Sequence, residues 1–306
     1  MTSNDSFLID KRWLQRNFDR AAPHYDAAAV LQHEIGRRML ERLDLIKLQP
    51  ETVIDIGAGT GRQTRLLADH YPHSRVIALD LAPNMLHQAR KQLSWWQRWQ
   101  GRQHFICADA ERLPLSDSSV DLIFSNATLQ WCDDLDRVFN EFQRVLRPGG
   151  LLLFSSFGPD TLHELRRSWQ AVDPHNHVNA FIDMHDIGDA LLRSGMGDPV
   201  MDMEMITLTY RDLRTLMAEL KIIGAHNVTA GRPRGLTGRK RLQQLTAAYE
   251  TFRNQDNLLP LSYEVIYGHA WKTDSRKTGT GSPVQADGSI AIPLSTLHIN
   301  KRKAPQ

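Results

Sequence analysis

The sequence predicts an α/β fold in which an open, mainly parallel sheet is doubly wound, with helices on both faces. Five apolar runs, TVIDIG, RVIALDL, HFICADA, VDLIFSNA and LLLFSSF, recur within residues 52–157 and alternate with segments of helical periodicity. Several are apolar on consecutive residues, as a strand must be when helices bury both of its faces. The first run leads directly into a turn with glycines at 57, 59 and 61. A strand, a glycine turn and a helix in that order place backbone N–H groups at the carboxyl edge of the sheet, where doubly wound folds bind ligands.

The elements follow in order. Residues 1–50 read as a helical N-terminal segment, with Leu31, Ile35, Met39, Leu40 and Leu43 at helical spacing and an interruption at Pro23. It mixes charges into every turn and offers no apolar stretch suited to a signal peptide or a membrane span. Residues 51–272 hold the sheet. Arg147-Pro148-Gly149-Gly150 is expected to end one helix and turn into the strand at Leu151. Helical insertions are expected near 160–195 and 210–256, with polar breaks around Asp173–Asn179 and Gly195–Pro199. Two further strands, Met201–Leu208 and Tyr263–Trp271, bring the total to seven. From Lys272 the chain turns polar, with six basic residues against two Asp, so residues 273–306 read as a mobile basic tail. Ser289–Ile299 could add an edge strand.

Composition excludes several classes. With 306 residues, 41% of them hydrophobic and a net charge of +2, the chain can bury a large core and carries no field that argues for nucleic acid. Cys107 and Cys132 have neither metal-ligand spacing nor disulfide density, so both are read as packing residues of a cytoplasmic protein without a metal.

The glycine loop narrows the ligand. A dinucleotide loop wants its third glycine at the sixth position, which is Arg62 here. The strand also ends in Asp55, whose carboxylate suits an ammonium group better than a phosphate. An amino-acid-bearing nucleoside fits both facts. Successive strand ends then offer Asp80, 19 residues after Gly61, where it can accept both ribose hydroxyls, followed by Asp109 with Ala110, and then Asn126. Asp80 and Asp109 also suit plain helix caps.

These residues carry a resemblance. DIGAGTG, with acids after the second and third strands, resembles the first motif and its sequel in the seven-stranded, Rossmann-like class I methyltransferases that use S-adenosylmethionine. The resemblance implies that Asp55, Gly57, Gly59, Gly61, Asp80, Asp109, Ala110 and Asn126 hold that methyl donor, with Asp109 and Ala110 beside the adenine and Asn126 beneath the methionine portion. Across roughly Val30–Lys272 the chain is similar to the malonyl-acyl-carrier-protein O-methyltransferases of biotin synthesis, through FDRAAPHYDAAAVLQ, NATLQWCDDL, GPDTL, DMHDIGD, the basic stretch from Gly224 and YEVIYGHAWK. LQW, GPDTL, DMHDIGD and YGHAW are the narrow part of that likeness.

The implied reaction is esterification of the free carboxylate of a malonyl thioester, on acyl carrier protein or coenzyme A. That carboxylate is ionised at pH 7 and needs no general base, so catalysis reduces to placement and exclusion of water. Tyr25, Gln130, Trp131 and His185 are the candidates for that placement, with His177 beside them. Each also has a packing role to fall back on: a rim aromatic, a core aromatic, a helix end. Arg232, Arg234, Arg239, Lys240 and Arg241 lie together without one acid and suit an acidic carrier protein, with Arg166 and Arg167 extending them. No nucleic acid or membrane is expected as partner. The competing readings are a methyltransferase for another small carboxylate such as trans-aconitate or for a quinone ring, and a non-catalytic adaptor that binds S-adenosylmethionine.

Overall fold

In the computed structural model the described residues are 9–224 and 238–273. Chain contacts divide the protein into Met1–Lys272 and Thr273–Gln306, and only Thr273 of the second unit is among the described residues. The N-terminal segment forms helices α1 (Lys11–Ala21), α2 (Tyr25–Ala28) and α3 (Val30–Leu43). Then follow β1 (Thr52–Ile56), α4 (Arg62–His70), β2 (Arg75–Asp80), α5 (Pro83–Lys91), α6 (Trp95–Gln100), β3 (Gln103–Cys107) and β4 (Val120–Ser125). The remainder comprises α7 (Leu135–Val145), β5 (Leu146–Phe157), α8 (His163–Gln170), α9 (Met184–Arg193), β6 (Met196–Tyr210), α10 (Leu213–Ile222), α11 (Arg239–Glu250) and β7 (Leu259–Lys272).

The seven strands form one sheet in the order β3-β2-β1-β4-β5-β7-β6. The first five are parallel, and β7 inserts antiparallel between β5 and β6. Alternation along each buried strand feeds two cores. Val53, Leu122 and Leu151 face α3, α8, α10 and α11, whereas Ile54, Ile123 and Leu152 face α7 and α9. Helix α7 shows how the local sequence sets this: Leu135, Val138, Phe139, Phe142 and Val145 form one buried stripe, and the Asp134 carboxylate caps the start by accepting from Arg137 N.

Several expectations need correction. β5 begins at Leu146, not Leu151, because the RPGG turn continues along β4 with a register shift between Val120 and Leu122. The break expected at Gly195–Pro199 is absorbed into β6 as a register shift between Gly197 and Val200. Cys107 is exposed at the end of the edge strand β3, whereas Cys132 is buried as expected. Helix α6 was not anticipated; it is closed by a Ser94–Gln97 capping box and leaves Trp95, Trp96 and Trp99 exposed. The edge strand suggested at Ser289–Ile299 lies outside the described residues. No helix among the described residues is long and apolar enough to cross a membrane, and no group of three or more His, Cys, Asp or Glu among them could hold a metal ion.

Candidate active site

The carboxyl ends of β1, β2, β3 and β4 open into a cavity of 590 Å³, within the range of small-molecule sites. Gly61 caps α4 at φ +76°, and a Cβ there would stand 2.7 Å from the Ala89 Cβ, so helix-to-helix packing requires glycine. At Gly59, φ +54°, a Cβ would meet only Tyr25 Cε1, at 3.9 Å. The Gly59 backbone is thus open on the cavity side, as close approach of a ligand demands.

Acids stand at the expected strand ends. Asp80 Oδ2 accepts from Gly59 N at 2.8 Å and Oδ1 from Ala82 N at 2.7 Å, which aims the carboxylate and leaves one lone-pair site on each oxygen. Burial pushes its carboxyl up to about 6, against these two hydrogen bonds. Asp55 is deeper. It does not line the main cavity but a 40 Å³ recess beneath it, shared with Gly57, Gly59 and Asn126. Burial raises it to about 7, although Thr64 Oγ1 donates to its Oδ2 at 2.5 Å.

Asp109 is held by a residue that sequence reasoning missed. Lys11 Nζ, from the first turn of α1, donates to both Asp109 oxygens at 2.8 Å and to Glu111 Oε1 at 2.6 Å. Gln15 of the same helix donates to Leu81 O at 3.0 Å, and Ile9 N donates to Asp133 at 2.7 Å. Helix α1 is therefore strapped over the ends of β2 and β3, and Leu14 and Phe18 complete that wall of the cavity. Nothing in the spacing of the charged N-terminal segment marked Lys11. Ala110 lines the cavity, and its N–H makes no hydrogen bond among the described residues.

Asn126 lines both the cavity and the recess. Its Nδ2 donates to Gln32 O at 2.8 Å and its Oδ1 accepts from Ser155 Oγ at 2.9 Å, so the side chain ties α3 to β5. Gln130 lines the cavity; its Nε2 donates to Ala127 O at 2.6 Å, and its Oε1 is sealed in the wall without a hydrogen bond among the described residues, as is Gln32 Oε1. The ordered acids and the backbone donor at Ala110 fit the ammonium, ribose and adenine of S-adenosylmethionine.

The opposite side of the cavity is built from β5, β7, α8, α10 and the 177–181 segment, through Phe157, Thr161, Leu165, Trp169, His177, Phe181 and Tyr263. The GPDTL turn is clamped there. Buried Glu264 accepts from Asp160 N at 2.8 Å, and Arg166 donates to Pro159 O and Thr161 O at 2.7 and 3.1 Å. Trp131 meets Phe18 edge to face at 5.5 Å and lines the cavity, as expected. Tyr25 also lines it, and burial with Asp80 and Asp26 nearby pushes its hydroxyl up, so it remains a donor. Tyr263, missed because it reads as a strand residue, is buried and likewise held protonated, and its hydroxyl makes no hydrogen bond among the described residues.

His185 and the described part of the basic run lie elsewhere, and His177 is already engaged. His185 is not in the cavity: it sits in the first turn of α9, its side chain 86% exposed, with its backbone N and Nδ1 on the cap residue Asp183. His177 does line the cavity, but it is stacked on Trp169 at 3.7 Å and its Nε2 is bound to Asp173 at 2.8 Å. Arg239, Lys240 and Arg241 are exposed on the first turn of α11, outside the cavity lining, and Arg241 lies 3.8 Å from Asp173. Arg232 and Arg234 lie outside the described residues.

Known proteins resemble this chain over most of its length. A methyltransferase-domain family matches residues 54–154. A malonyl-[acyl-carrier protein] O-methyltransferase from Methylovorus sp. is 55% identical over 89% of this chain and 92% of its own. One from Gallionella capsiferriformans is 51% identical over 92% of this chain and 97% of its own. Among solved structures, the YcgJ protein from Bacillus subtilis shares the fold at TM-score 0.53 and 18% identity, covering 78% of this chain and 98% of that one. With the donor site assembled at the strand ends and relatives this similar over nearly the whole length, the chain belongs to the malonyl-[acyl-carrier protein] O-methyltransferase family and is an S-adenosylmethionine-dependent O-methyltransferase.

Proposed function

We propose that this protein esterifies the free carboxylate of a malonyl group carried as a thioester on an acyl carrier protein in the cytosol. The observation that carries the reading is the polarity of the cavity. Among the described residues the only acids that line it are Asp80 and Asp109, both on the glycine-loop side, where Lys11 pairs with Asp109, whereas the side built by α10 carries Arg214 and Lys221 and no acid. One end suits a cationic donor and the other an anionic acceptor.

S-adenosylmethionine supplies an electrophilic methyl group on a sulfonium. Asp55, Asp80, Asp109 and the Ala110 N–H hold and orient it. The malonyl carboxylate is ionised already, so no residue has to remove a proton. The Tyr263 hydroxyl and the Trp131 indole N–H are the donors that orient it, and both are neutral, so its nucleophilicity is kept. Phe18, Phe157, Leu165 and Phe181 exclude water from two opposite charges that cancel as the bond forms. The free cysteines suit a reducing compartment.

Arg239 and Lys240 supply the steering surface for an acidic carrier. Arg241, which faces Asp173, belongs to the scaffold. The decisive test supplies labelled S-adenosylmethionine with malonyl-carrier protein, malonyl-CoA or free trans-aconitate. A base-labile labelled ester on the malonyl thioesters is expected; label on trans-aconitate alone overturns the reading. Arg239→Glu with Lys240→Glu should raise KM for the carrier-bound substrate more than for malonyl-CoA. Equal rises remove the steering role.

A further inference from the structure

Helix α10 closes the acceptor side of the cavity with one stripe of side chains. Leu213, Leu216 and Leu220 are buried, and Arg214, Met217, Ala218 and Lys221 line the cavity. The latter four stand at i, i+3, i+4 and i+7, so they share a face, with a cation at each end and two apolar residues between. The two cations are about 10 Å apart along the helix axis at 1.5 Å per residue.

Both cations lack ion-pair partners among the described residues. Arg38, Arg42, Arg144, Arg147, Arg193 and Arg253 each hold a carboxylate. The two acids of this segment are otherwise engaged: Asp212, the N-cap, accepts from Thr215 N and Oγ1 and attracts Arg214 without an ion pair, and Glu219 accepts from the Tyr210 hydroxyl. Arg214 and Lys221 are exposed, unlike Tyr263 and Phe157 on the same side, so they stand at the mouth while the neutral donor Tyr263 stands on the floor.

A malonyl thioester has the matching order of chemistry. Its carboxylate is at one end, a neutral amide-bearing arm follows, and a phosphate closes the arm. We propose that Arg214 and Lys221 grip the phosphate of the phosphopantetheine arm at the cavity mouth, with Met217 and Ala218, on the same face between them, covering the adjoining neutral stretch of the arm. This rests on the malonyl-thioester reading above and assigns it a specificity determinant. The phosphate is common to the carrier-bound arm and to coenzyme A, so the pair selects phosphopantetheine thioesters over free acids from either source.

The test compares wild type with Arg214→Ala/Lys221→Ala in the full chain on three substrates: malonyl-carrier protein, malonyl-CoA, and malonyl-pantetheine, which has no phosphate. For wild type, kcat/KM should favour the two phosphate-bearing substrates. In the double variant that preference should fall by about tenfold or more, through KM and with kcat little changed, as charge-assisted contacts are lost. Arg214→Lys should restore part of it, and S-adenosylmethionine affinity, read by calorimetry, should stay within about twofold if the fold is intact. An equal loss on all three substrates overturns the phosphate assignment, as does a loss confined to the carrier protein, which would make the pair a protein-docking contact. If wild type methylates none of the three, the reading above fails instead.

Discussion

Replacing Asp55 by Asn separates the stability of this site from its function. Asp55 is 1% exposed, and burial holds its carboxyl at about 7 against an ordinary 3.8. A buried acid with a raised folded-state pKa makes the fold less stable as pH rises from the unfolded value through the folded one, because only the unfolded chain ionises freely over that range. At 1.36 kcal/mol per unit, a rise of roughly three units makes the ionised Asp55 cost the fold about 4 kcal/mol at pH 8 and under about half that at pH 5. Asn keeps an acceptor for Thr64 but adds an N–H pair that needs a partner, which offsets about 1–3 kcal/mol. The net gain at pH 8 is thus about 2 kcal/mol, or roughly 4 °C in Tm for a protein of this size. Thermal unfolding of the ligand-free protein at pH 8 and pH 5 should show the variant ahead at pH 8 and not at pH 5. Calorimetry at pH 8 should show S-adenosylmethionine bound at least about tenfold more weakly, and the proton release on binding that is expected of wild type near pH 7 should be abolished. A variant that is less stable at pH 8, or one that still binds the donor tightly, would refute the assignment of Asp55 as a carboxylate held at a stability cost for a cationic ligand.

Three further outcomes are expected. Gly61→Ala, with its Cβ driven to 2.7 Å from Ala89 at positive φ, should lower stability by about 2 kcal/mol or more and weaken donor binding; an unchanged urea midpoint would show that α4 and α5 can separate freely. Lys11→Met should weaken S-adenosylmethionine binding about three- to tenfold and speed hydrogen exchange across α1, since it unpins the helix from Asp109 and Glu111; exchange at the wild-type rate would mean the apolar contacts alone hold that wall. His185→Ala should leave kcat and KM within about twofold, because the side chain is exposed on α9; a tenfold loss of activity would return His185 to the site.

The parallel half of the sheet was legible because its strands are apolar on consecutive residues and each ends in a polar signal: Asp55, Asp80, Asp109, Asn126. The antiparallel half was harder to read. Along β6 buried and exposed positions alternate, and Gly197 and Pro199 look like punctuation although they sit in a register shift. The same contrast runs through the site. Donor-side residues stand in order along the chain, each just after its own strand, so spacing reveals them. Lys11, Gln32, Tyr263 and the α10 cations converge from segments up to 252 positions apart, and no local pattern marks them. Composition misled at Cys107, which reads as a packing residue but is exposed.

In the reaction proposed above, the acids at one end of the cavity and the donors and cations at the other are matched to reactants and mismatched to products. Methyl transfer leaves a neutral thioether where a sulfonium lay and a neutral ester where a carboxylate lay. Asp80 and Asp109 then face a guest with one positive charge fewer, and Tyr263 and Trp131 face a weaker acceptor. Hold is lost at both ends in the same instant, so each turnover loosens its own products and the pocket discriminates against rebinding the finished ester.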